Sequence, residues 1–203
     1  MSAKADLVLV GGGGHCHACI DVVELAGHWH IAGVLDRELA VGTEVLGYPV
    51  LGDDERIEEL AAKGCAFLIA LGQIRTASVR QSLYQRIVAA RGRLVTVVSP
   101  LAYVSRHARL GVGTIVMHHA VVNACAEIGA NTIINTRALV EHDARIGDHC
   151  HIATAAVVNG GAEVGTASFV GSQAVLFQGA VVAPGSVVGA GTVVRPLRPG
   201  AAV

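Results

Sequence analysis

A run of four glycines directly follows the first apolar segment of the chain. Residues 6–11 form a short apolar stretch typical of a buried parallel strand, and residues 11–14 lead into a segment with helical spacing. Free N–H groups at the start of such a helix can bind a phosphate, which the helix dipole also favours. The dinucleotide-binding pattern of three spaced glycines fails, because Cys16 or His17 stands in the third position. The sequence therefore predicts a phosphate or ribose site and not NAD-dependent redox chemistry.

Histidines and cysteines alternate immediately after these glycines. His15 and Cys19 lie one helical turn apart, so the two side chains could share a metal ion. A structural zinc site usually has four protein ligands, and no second pair with suitable spacing follows in the sequence. We therefore predict no metal site. His15 is expected to line the pocket of the glycine loop, and Cys16 and Cys19 are expected to pack as small apolar side chains.

The segment that carries these residues predicts alternating strands and helices. Strands are expected at residues 6–11, 30–36, 66–71 and 94–98, and helices at residues 16–26, 54–63 and 77–91. Asp53 is expected to cap the second helix. Asp36 ends the second strand, where it could bind a ribose or be an ordinary acidic strand end. The alternation predicts an open, parallel α/β sheet of Rossmann-like type over residues 1–97.

The second half of the chain repeats every six residues. Each sixth residue from Val98 to Val194 is aliphatic, and a small residue stands two positions before it. Such a period predicts a parallel β-helix over residues 98–203, in which three hexapeptides form a triangular coil and equivalent positions recur every eighteen residues. Glycine often follows the aliphatic residue, as at Gly111 and Gly147, and we expect it to supply the unusual backbone angles of the corners.

Composition agrees with a narrow coil and limits the possible partners. Hydrophobic residues make up 52% of the chain but aromatic residues only 3%, and a three-sided coil leaves no room for stacked rings. The sequence contains no apolar run long enough for a transmembrane helix and no disulfide pattern among its five cysteines, and we expect no secretory signal. With a formal net charge of −1, nothing favours a nucleic acid or a membrane as partner. We expect a cytoplasmic protein.

Three segments are similar to one known family. They are residues 9–15 (LVGGGGH), 134–143 (INTRALVEHD) and 146–152 (IGDHCHI). With them, the chain resembles the bacterial nucleotide-sugar acetyltransferases. That family includes the UDP-amino-sugar N-acetyltransferases of the bacillosamine pathway, the GDP-perosamine N-acetyltransferases and the sialic acid O-acetyltransferases. The resemblance covers almost the whole chain and implies that the hexapeptide coil is a left-handed β-helix.

The resemblance implies a catalytic histidine. His142 matches the family's general base, which takes a proton from the sugar amine as that amine attacks the acetyl thioester. Asp143 matches the acidic position beside the base, and Glu141 is a second candidate for that position. A neutral imidazole can accept a proton near neutral pH, and a carboxylate stabilises the imidazolium that forms. From its position alone, His142 could also be a solvated corner residue.

The resemblance also implies binding positions. Acetyl-CoA is expected along the groove between neighbouring subunits, and the matching positions are His151, Gly160, Ser172 and Ala190. The nucleotide sugar is expected in the front domain at Gly13, Gly14, His15, Asp36, Arg37 and Gly72. Asn135 is a candidate for holding water or substrate, or is a simple corner residue. The remaining histidines of this region, His118, His119 and His149, are expected at the surface.

Together these inferences predict an acetyl-CoA-dependent N-acetyltransferase. Its substrate would be the 4-amino group of a nucleotide-linked 4-amino-4,6-dideoxysugar, and its product would feed surface polysaccharide synthesis. A homotrimer with active sites between subunits is expected, because the flat faces of a triangular prism pack around a threefold axis. The first alternative is an O-acetyltransferase that acts on a sugar hydroxyl. A β-helical zinc enzyme of carbonic-anhydrase type and a non-catalytic scaffold are the alternatives from other classes, and the nucleotide (UDP, GDP or dTDP) stays open.

Overall fold

Residues 4–196 are described by a computed structural model, in which an α/β sheet is followed by a long coil of very short strands. Residues 1–3 of the predicted front domain and residues 197–203 of the predicted coil domain lie outside the described part. Within the described part, no helix is long and apolar enough to cross a membrane.

The front part of the chain is a six-stranded sheet, with the first α-helix packed on one face and the next two on the other. Its strands are β1 (Asp6–Val10), β2 (His30–Leu35), β3 (Glu44–Val45), β4 (Tyr48–Gly52), β5 (Ala66–Ile69) and β6 (Arg93–Leu94), and its helices are α1 (Gly14–Ala26), α2 (Ile57–Ala62) and α3 (Ser78–Ala89). The strand order is β3-β4-β2-β1-β5-β6, and every pair is parallel except β3 with β4. This confirms the predicted Rossmann-like sheet.

The local sequence explains most of these elements. β1 is buried on both faces, since Leu7 and Leu9 pack in one apolar cluster and Val8 and Val10 in another, so its apolar run need not alternate. Asp53 caps the next helical segment as predicted, because its Oδ1 accepts a hydrogen bond from the N–H of Glu55 at 2.9 Å. The first turn of that segment, Asp54–Arg56, is a 3-10 helix.

Two features of the front sheet differ from the prediction. The antiparallel β3–β4 hairpin was not predicted; its two-residue turn, Leu46 and Gly47, has positive φ at both positions without the usual Asn-Gly signal. The single strand expected over residues 94–98 is wrong. β6 pairs with β5, whereas the following strand β7 (Val97–Val98) pairs with the first complete coil, so the two belong to different sheets.

The rest of the described chain is a left-handed parallel β-helix with three faces. Face 1 consists of β7, β10 (Ile115–Val116), β13 (Ile133–Ile134), β16 (His151–Ile152), β19 (Phe169–Val170) and β22 (Val187–Val188). Face 2 consists of β8 (Tyr103–Val104), β11 (Val121–Val122), β14 (Leu139–Val140), β17 (Val157–Val158), β20 (Val175–Leu176) and β23 (Val193–Val194). Face 3 consists of β9 (Arg109–Leu110), β12 (Glu127–Ile128), β15 (Arg145–Ile146), β18 (Glu163–Val164) and β21 (Val181–Val182).

The predicted register of the coil is confirmed. Each strand pairs in parallel with the strand eighteen residues further on, as Ile146 does with Val164. The second residue of each strand points inward, and these aliphatic side chains form one continuous core with the small residues that precede them, such as Ala144 and Cys150. Each residue therefore contacts its equivalents in the coils above and below.

The front domain packs on face 1 of the coil. Ile115 and Ile133 occupy outward positions on this face, yet both are fully buried. They share an apolar cluster with Val22 and Val23 of α1. The outward residues of face 1 are therefore interior residues of the whole chain.

The glycines that follow the inward residues have a different role from the one expected. Gly129 does not have a positive φ; a Cβ there would lie 2.5 Å from the backbone N of Asp148, so glycine is needed because the next coil approaches closely. The left-handed conformation falls instead on the third residue after the inward one, in each corner from Gly113 to Gly191. Asp143, with φ of 60°, is one of these corner residues.

Candidate active site

The glycine loop lies between β1 and the start of α1. Gly11 has a φ of 105°, and a Cβ there would lie 2.5 Å from Cγ of Leu71, so only glycine fits. Gly13 is the N-cap residue of α1 and provides no side-chain hydrogen bond to the helix. The first N–H groups of the helix are therefore available to an anion. A cavity of about 590 Å³ opens beside them, and Gly13, Asp36 and Arg37 line it.

Backbone N–H groups hold Asp36 at the wall of this cavity. Its Oδ2 accepts a hydrogen bond from Gly12 at 2.7 Å, and its Oδ1 accepts from Glu38 at 2.8 Å and Leu39 at 3.1 Å. Burial raises the pKa of Asp36, but the three backbone donors together lower it by more. The net pKa therefore lies below its ordinary value. Asp36 is therefore an ionised acceptor at neutral pH.

Arg37 lines the same cavity and pairs with Asp54. Its Nε and Nη2 donate to the two carboxylate oxygens of Asp54, the second at 2.8 Å, which is a bidentate arrangement. The hydrogen bond from Arg37 holds the pKa of Asp54 below its usual range. Two of the N–H groups of Arg37 are thus already used within the chain.

A second cavity of about 500 Å³ lies at the junction of the front domain and the coil. His15, Gly72, Gln73, Arg80 and His151 line it. Leu71 and Val79 line both cavities, so the two cavities are neighbours on either side of the loop that follows β5.

His151 has a defined tautomer in the second cavity. Its Nδ1 lies 2.6 Å from the carbonyl oxygen of Gln73, which can only accept, so Nδ1 carries the hydrogen. Its Nε2 accepts from Nδ2 of Asn135 at 3.0 Å, and the N–H of Thr136 fixes that amide by donating to its Oδ1. Burial lowers the pKa of His151 to about 4, with the hydrogen bond to Gln73 opposing and the charge of Arg80 adding to the effect. His151 is therefore neutral at physiological pH.

His15 is a second neutral imidazole beside it. The two ring centroids are 6.2 Å apart. Burial lowers the pKa of His15 to about 4, and the charges of Arg80 and His151 act in the same direction. Its Nε2 is buried without a hydrogen-bond partner among residues 4–196.

His142 lies elsewhere, on the edge between faces 2 and 3. Its Nδ1 is 2.8 Å from Oδ2 of Asp143, and the two side chains are 60% and 65% exposed. The hydrogen bond that Nδ1 of His142 donates to Asp143 raises the pKa of His142 above its ordinary value. Since Nδ1 donates to the carboxylate, the neutral ring presents the lone pair of Nε2. This lone pair can accept a proton from a bound molecule, and the carboxylate of Asp143 can stabilise the resulting imidazolium.

The neighbours of His142 leave room for its ring. Gly160 lies one coil further on, and a Cβ there would lie 2.7 Å from Cε1 of His142 and 2.8 Å from its Nε2. Glu141 forms no hydrogen bond with the ring; its Oε2 accepts from Nδ2 of Asn123 at 2.8 Å and from the N–H of His142 at 3.4 Å. Asp143 is therefore the carboxylate that holds the imidazole in this geometry.

The residues expected from the sequence fall into separate groups. At or beside the first cavity lie Gly13, Gly14, Asp36 and Arg37, and at or beside the second lie His15, Gly72, Asn135 and His151. One edge of the coil carries Glu141, His142, Asp143 and Gly160. The edge between faces 1 and 2 carries Ser172 and Ala190, which lie one coil apart. The edge with His142 lies opposite face 1, which the front domain covers. Within one chain, His142 and the two cavities therefore lie on opposite sides of the coil.

Of the histidines expected at the surface, His119 is exposed, whereas His118 and His149 are half-buried between the front domain and the coil. His118 bridges the two domains, because its Nδ1 is 2.7 Å from Oγ of Ser99 and its Nε2 is 2.8 Å from Oδ2 of Asp21. His149 packs edge-on against the ring of Tyr84, with centroids 5.1 Å apart. Both lie where the front domain covers the coil, which the hexapeptide pattern does not reveal.

Arg80 was not identified from the sequence at all. It is buried in the second cavity, on the same face of α3 as the buried Leu83 and Ile87. The spacing of these three residues, at i, i+3 and i+7, was the available signal.

Cys16 and Cys19 are fully buried in an apolar cluster, as predicted. Within residues 4–196, no three side chains of His, Cys, Asp or Glu lie close enough together to hold a metal ion.

Known proteins share both the fold and the sequence pattern of this chain. Residues 6–87 match the family described as the PglD N-terminal domain. The perosamine N-acetyltransferase from Caulobacter crescentus, solved in complex with CoA and GDP-perosamine, is 36% identical with a TM-score of 0.88, covering 96% of this chain and 91% of that one. No curated protein sequence matches the chain.

Two further solved structures are similar. The acetyltransferase domain of PglB from Neisseria gonorrhoeae, in complex with acetyl coenzyme A, is 27% identical with a TM-score of 0.87, covering 95% of this chain and 94% of that one. WeeI from Acinetobacter baumannii is 22% identical with a TM-score of 0.73, covering 94% and 96%, and supports the fold alone.

Proposed function

The chain belongs to the bacterial nucleotide-sugar acetyltransferase family of the hexapeptide-repeat type, and we propose that it acetylates the 4-amino group of a nucleotide-linked 4-amino-4,6-dideoxysugar with acetyl-CoA. The observation that carries this proposal is the exposed His142–Asp143 pair, whose free Nε2 faces the space that Gly160 leaves open. The likeness to a perosamine N-acetyltransferase favours an amino sugar over a hydroxyl as acceptor.

The first cavity is the proposed site of the nucleotide diphosphate. The N-terminus of α1 at Gly13 and Gly14 offers N–H groups to phosphate oxygens. Asp36 is ionised and can accept hydrogen bonds from hydroxyl groups, and Arg37 lies at the mouth of the same cavity. The sugar would extend past Leu71 into the second cavity, towards His15 and Gly72.

His142 is the proposed general base. The amine nitrogen forms a bond to the acetyl carbon, the carbon–sulfur bond breaks, and Nε2 of His142 takes the proton that the amine loses. That proton can then pass to the sulfur of the departing CoA. Asp143 stabilises the imidazolium in between, and Glu141 accepts a hydrogen bond from the backbone N–H of His142, which orients the corner. His151, Gly160, Ser172 and Ala190 are the proposed contacts of acetyl-CoA.

The position of His142 supports a site shared between subunits. The front domain covers face 1, while His142 lies on the opposite edge of the same coil. The base can therefore meet a sugar in the second cavity only if that cavity belongs to another copy. A homotrimer with threefold symmetry brings each such edge to a neighbouring front domain, and we propose this assembly.

A thiol-release assay tests the proposed function. Acetyl-CoA is offered with UDP-, GDP- and dTDP-linked 4-amino-4,6-dideoxysugars, and the matching 4-hydroxy sugars serve as controls. We expect CoA release with one amino sugar, and a higher KM for that sugar but not for acetyl-CoA in Asp36→Ala. Release with hydroxy sugars only would indicate O-acetylation, and silence across the panel would contradict the proposal.

A further inference from the structure

Arg80 is a buried cation that the proposed reaction does not use. Only 1% of the residue is exposed. Its Nη1 donates to the carbonyl oxygens of Ile69 at 2.9 Å and Leu71 at 2.6 Å, and its Nη2 donates to the carbonyl oxygen and Oδ1 of Asn131 at 3.0 and 2.6 Å. All four acceptors are neutral. Among residues 4–196, no carboxylate forms an ion pair with Arg80.

A buried charge without a counterion is unfavourable, so its presence calls for a reason. Burial lowers the pKa of Arg80 only to about 10, so the guanidinium stays charged at physiological pH. Its Nε is also buried without a partner among the described residues. Leu83 and Ile87 occupy the same buried face of α3, where an apolar side chain would avoid this desolvation. The charge and the forked shape of Arg80 must therefore be useful at this position.

The fork of Arg80 fastens three elements together. Asn131 lies at a corner of the coil with φ of 51°, and its Nδ2 donates back to the carbonyl oxygen of Arg80 at 3.2 Å. Ile69 ends β5 and Leu71 lies in the loop that follows it, so one side chain joins α3, that loop and the coil. Two residues after Leu71, the carbonyl oxygen of Gln73 holds Nδ1 of His151. The orientation of His151 thus depends on a loop that Arg80 anchors.

The charge of Arg80 acts on the same imidazoles. It adds to burial in lowering the pKa of His15 and of His151 to about 4, and it also contributes to the lowered pKa of His149. Other titratable groups also face this region. Arg75 lines the second cavity, Tyr84 packs on His149, Cys19 of α1 contributes a buried thiol, and Asp148 acts on His149 in the direction opposite to Arg80. Positive charge at Arg80 therefore opposes protonation of the two histidines in the second cavity.

We propose that Arg80 is a positioning residue for acetyl transfer, which fixes the loop after β5 against the coil and keeps His15 and His151 neutral and correctly oriented in the second cavity. This inference rests on the proposed function, because that function makes the second cavity the place where the sugar amine meets acetyl-CoA. A neutral His151 accepts from Asn135, whereas a protonated one would have to repel that donor.

The first test is a histidine titration by NMR, which does not depend on turnover. In the wild-type protein we expect His15 and His151 to remain neutral at pH 5.5, about one unit below the ordinary histidine pKa. In Arg80→Met both should titrate at higher pH. Arg91→Met, which removes an exposed guanidinium just after the same helix, should change neither. Ordinary titration of both histidines in the wild-type protein, or unchanged titration in a folded Arg80→Met, would overturn the electrostatic part.

The second test separates charge from geometry. Arg80→Lys keeps the charge but cannot reach all four acceptors, so we expect low histidine pKa values, an unchanged pH profile and a kcat about tenfold lower. Arg80→Met should also move the acid limb of the kcat profile to higher pH. If Arg80→Met does not fold, the wild-type titration still tests the electrostatic part and Arg80→Lys still tests the positioning part. A normal kcat in Arg80→Lys would overturn the positioning part. Absence of wild-type turnover would refute the proposed function alone, since the titration needs no substrate.

Discussion

His142 and Asp143 owe their geometry to the corner in which they lie. Asp143 has a φ of 60°, a conformation that aspartate tolerates better than most residues. This turn points its carboxylate back to Nδ1 of the preceding histidine at 2.8 Å. The carboxylate favours the protonated ring, which explains why the pKa of His142 is raised. The corner itself therefore sets the hydrogen bond between the two side chains.

The pair predicts a specific pH dependence. His142→Ala should lower kcat by roughly 10²–10⁴-fold, because the amine proton loses its proposed acceptor. Asp143→Asn should lower kcat by about tenfold and move the acid limb of the kcat/KM profile to lower pH, because the pKa of His142 falls when the carboxylate is removed. The measurement is a pH–rate profile of both variants. An unmoved acid limb in Asp143→Asn, together with a shifted one in Glu141→Gln, would assign the partner role to Glu141.

Gly160 should be needed for the position of the same ring. A Cβ at this residue would overlap Cε1 and Nε2 of His142, so Gly160→Ala should reduce kcat at least tenfold with little change in stability. Gly161→Ala is the matched control, because a Cβ at Gly161 meets nothing within 4 Å and the coil accepts alanine at the equivalent corner positions Ala155 and Ala167. It should lose about 1 kcal/mol of stability but keep its turnover. Equal turnover in the two variants would contradict this role of Gly160.

At the scale of the element, each coil strand has only two residues, one inward and one outward. In β15, Arg145 is exposed and Ile146 is 4% exposed, stacked between Ile128 and Val164. The coil has no second core layer, so each inward residue contacts two neighbouring coils and the adjacent small residues. Loss of one inward residue therefore cannot be compensated by repacking elsewhere.

This pattern predicts opposite tolerance at neighbouring positions. Ile146→Asp should lower the free energy of unfolding by roughly 3–5 kcal/mol, because it buries an unpaired carboxylate. Arg145→Gln, its outward neighbour, loses one long contact with Glu163 and should change stability by less than about 1 kcal/mol. Urea unfolding of both variants measures the difference. A stable Ile146→Asp would mean that the register of this coil is wrong.

At the scale of the whole molecule, the decisive feature is the face on which the front domain packs. Arg80, Gln73 and Asp21 of the front domain bond to the coil at or beside face 1. The edge that bears His142 lies on the other side of the triangular coil. A complete site thus requires the proposed association of chains.

A mixing experiment tests this arrangement. His142→Ala and Asp36→Ala are co-expressed with different tags, purified through both and assayed at a sugar concentration far below the raised KM of Asp36→Ala, where each variant alone should turn over little substrate. If each site combines the base of one chain with the front domain of another, mixed trimers should recover up to about one third of their sites. A site contained within one chain would give no recovery. Wild-type chains co-expressed with His142→Ala control for the yield of mixed assembly.

Local sequence determined much of this protein without any reference to tertiary structure. The hexapeptide register predicted the coil, its inward residues and its eighteen-residue pairing, because in a β-helix each position repeats the same environment. The apolar run and glycines at residues 6–14 predicted β1 and the glycine loop for a similar reason: both depend on adjacent residues. The roles proposed for His142 and Asp143 and the proposed contacts of acetyl-CoA, by contrast, are implied by resemblance to a family.

Only the tertiary structure decided what depends on contacts between distant segments. The strand expected at residues 94–98 is divided between two sheets. Gly129 is needed because the backbone of Asp148 approaches it closely, and not because of the backbone angles of a corner. Burial of face 1 turned His118 and His149 from expected surface residues into junction residues, and it placed Arg80 beside His151. A repeat defines every face of the coil alike, so nothing in the repeat itself specifies which face the front domain will cover.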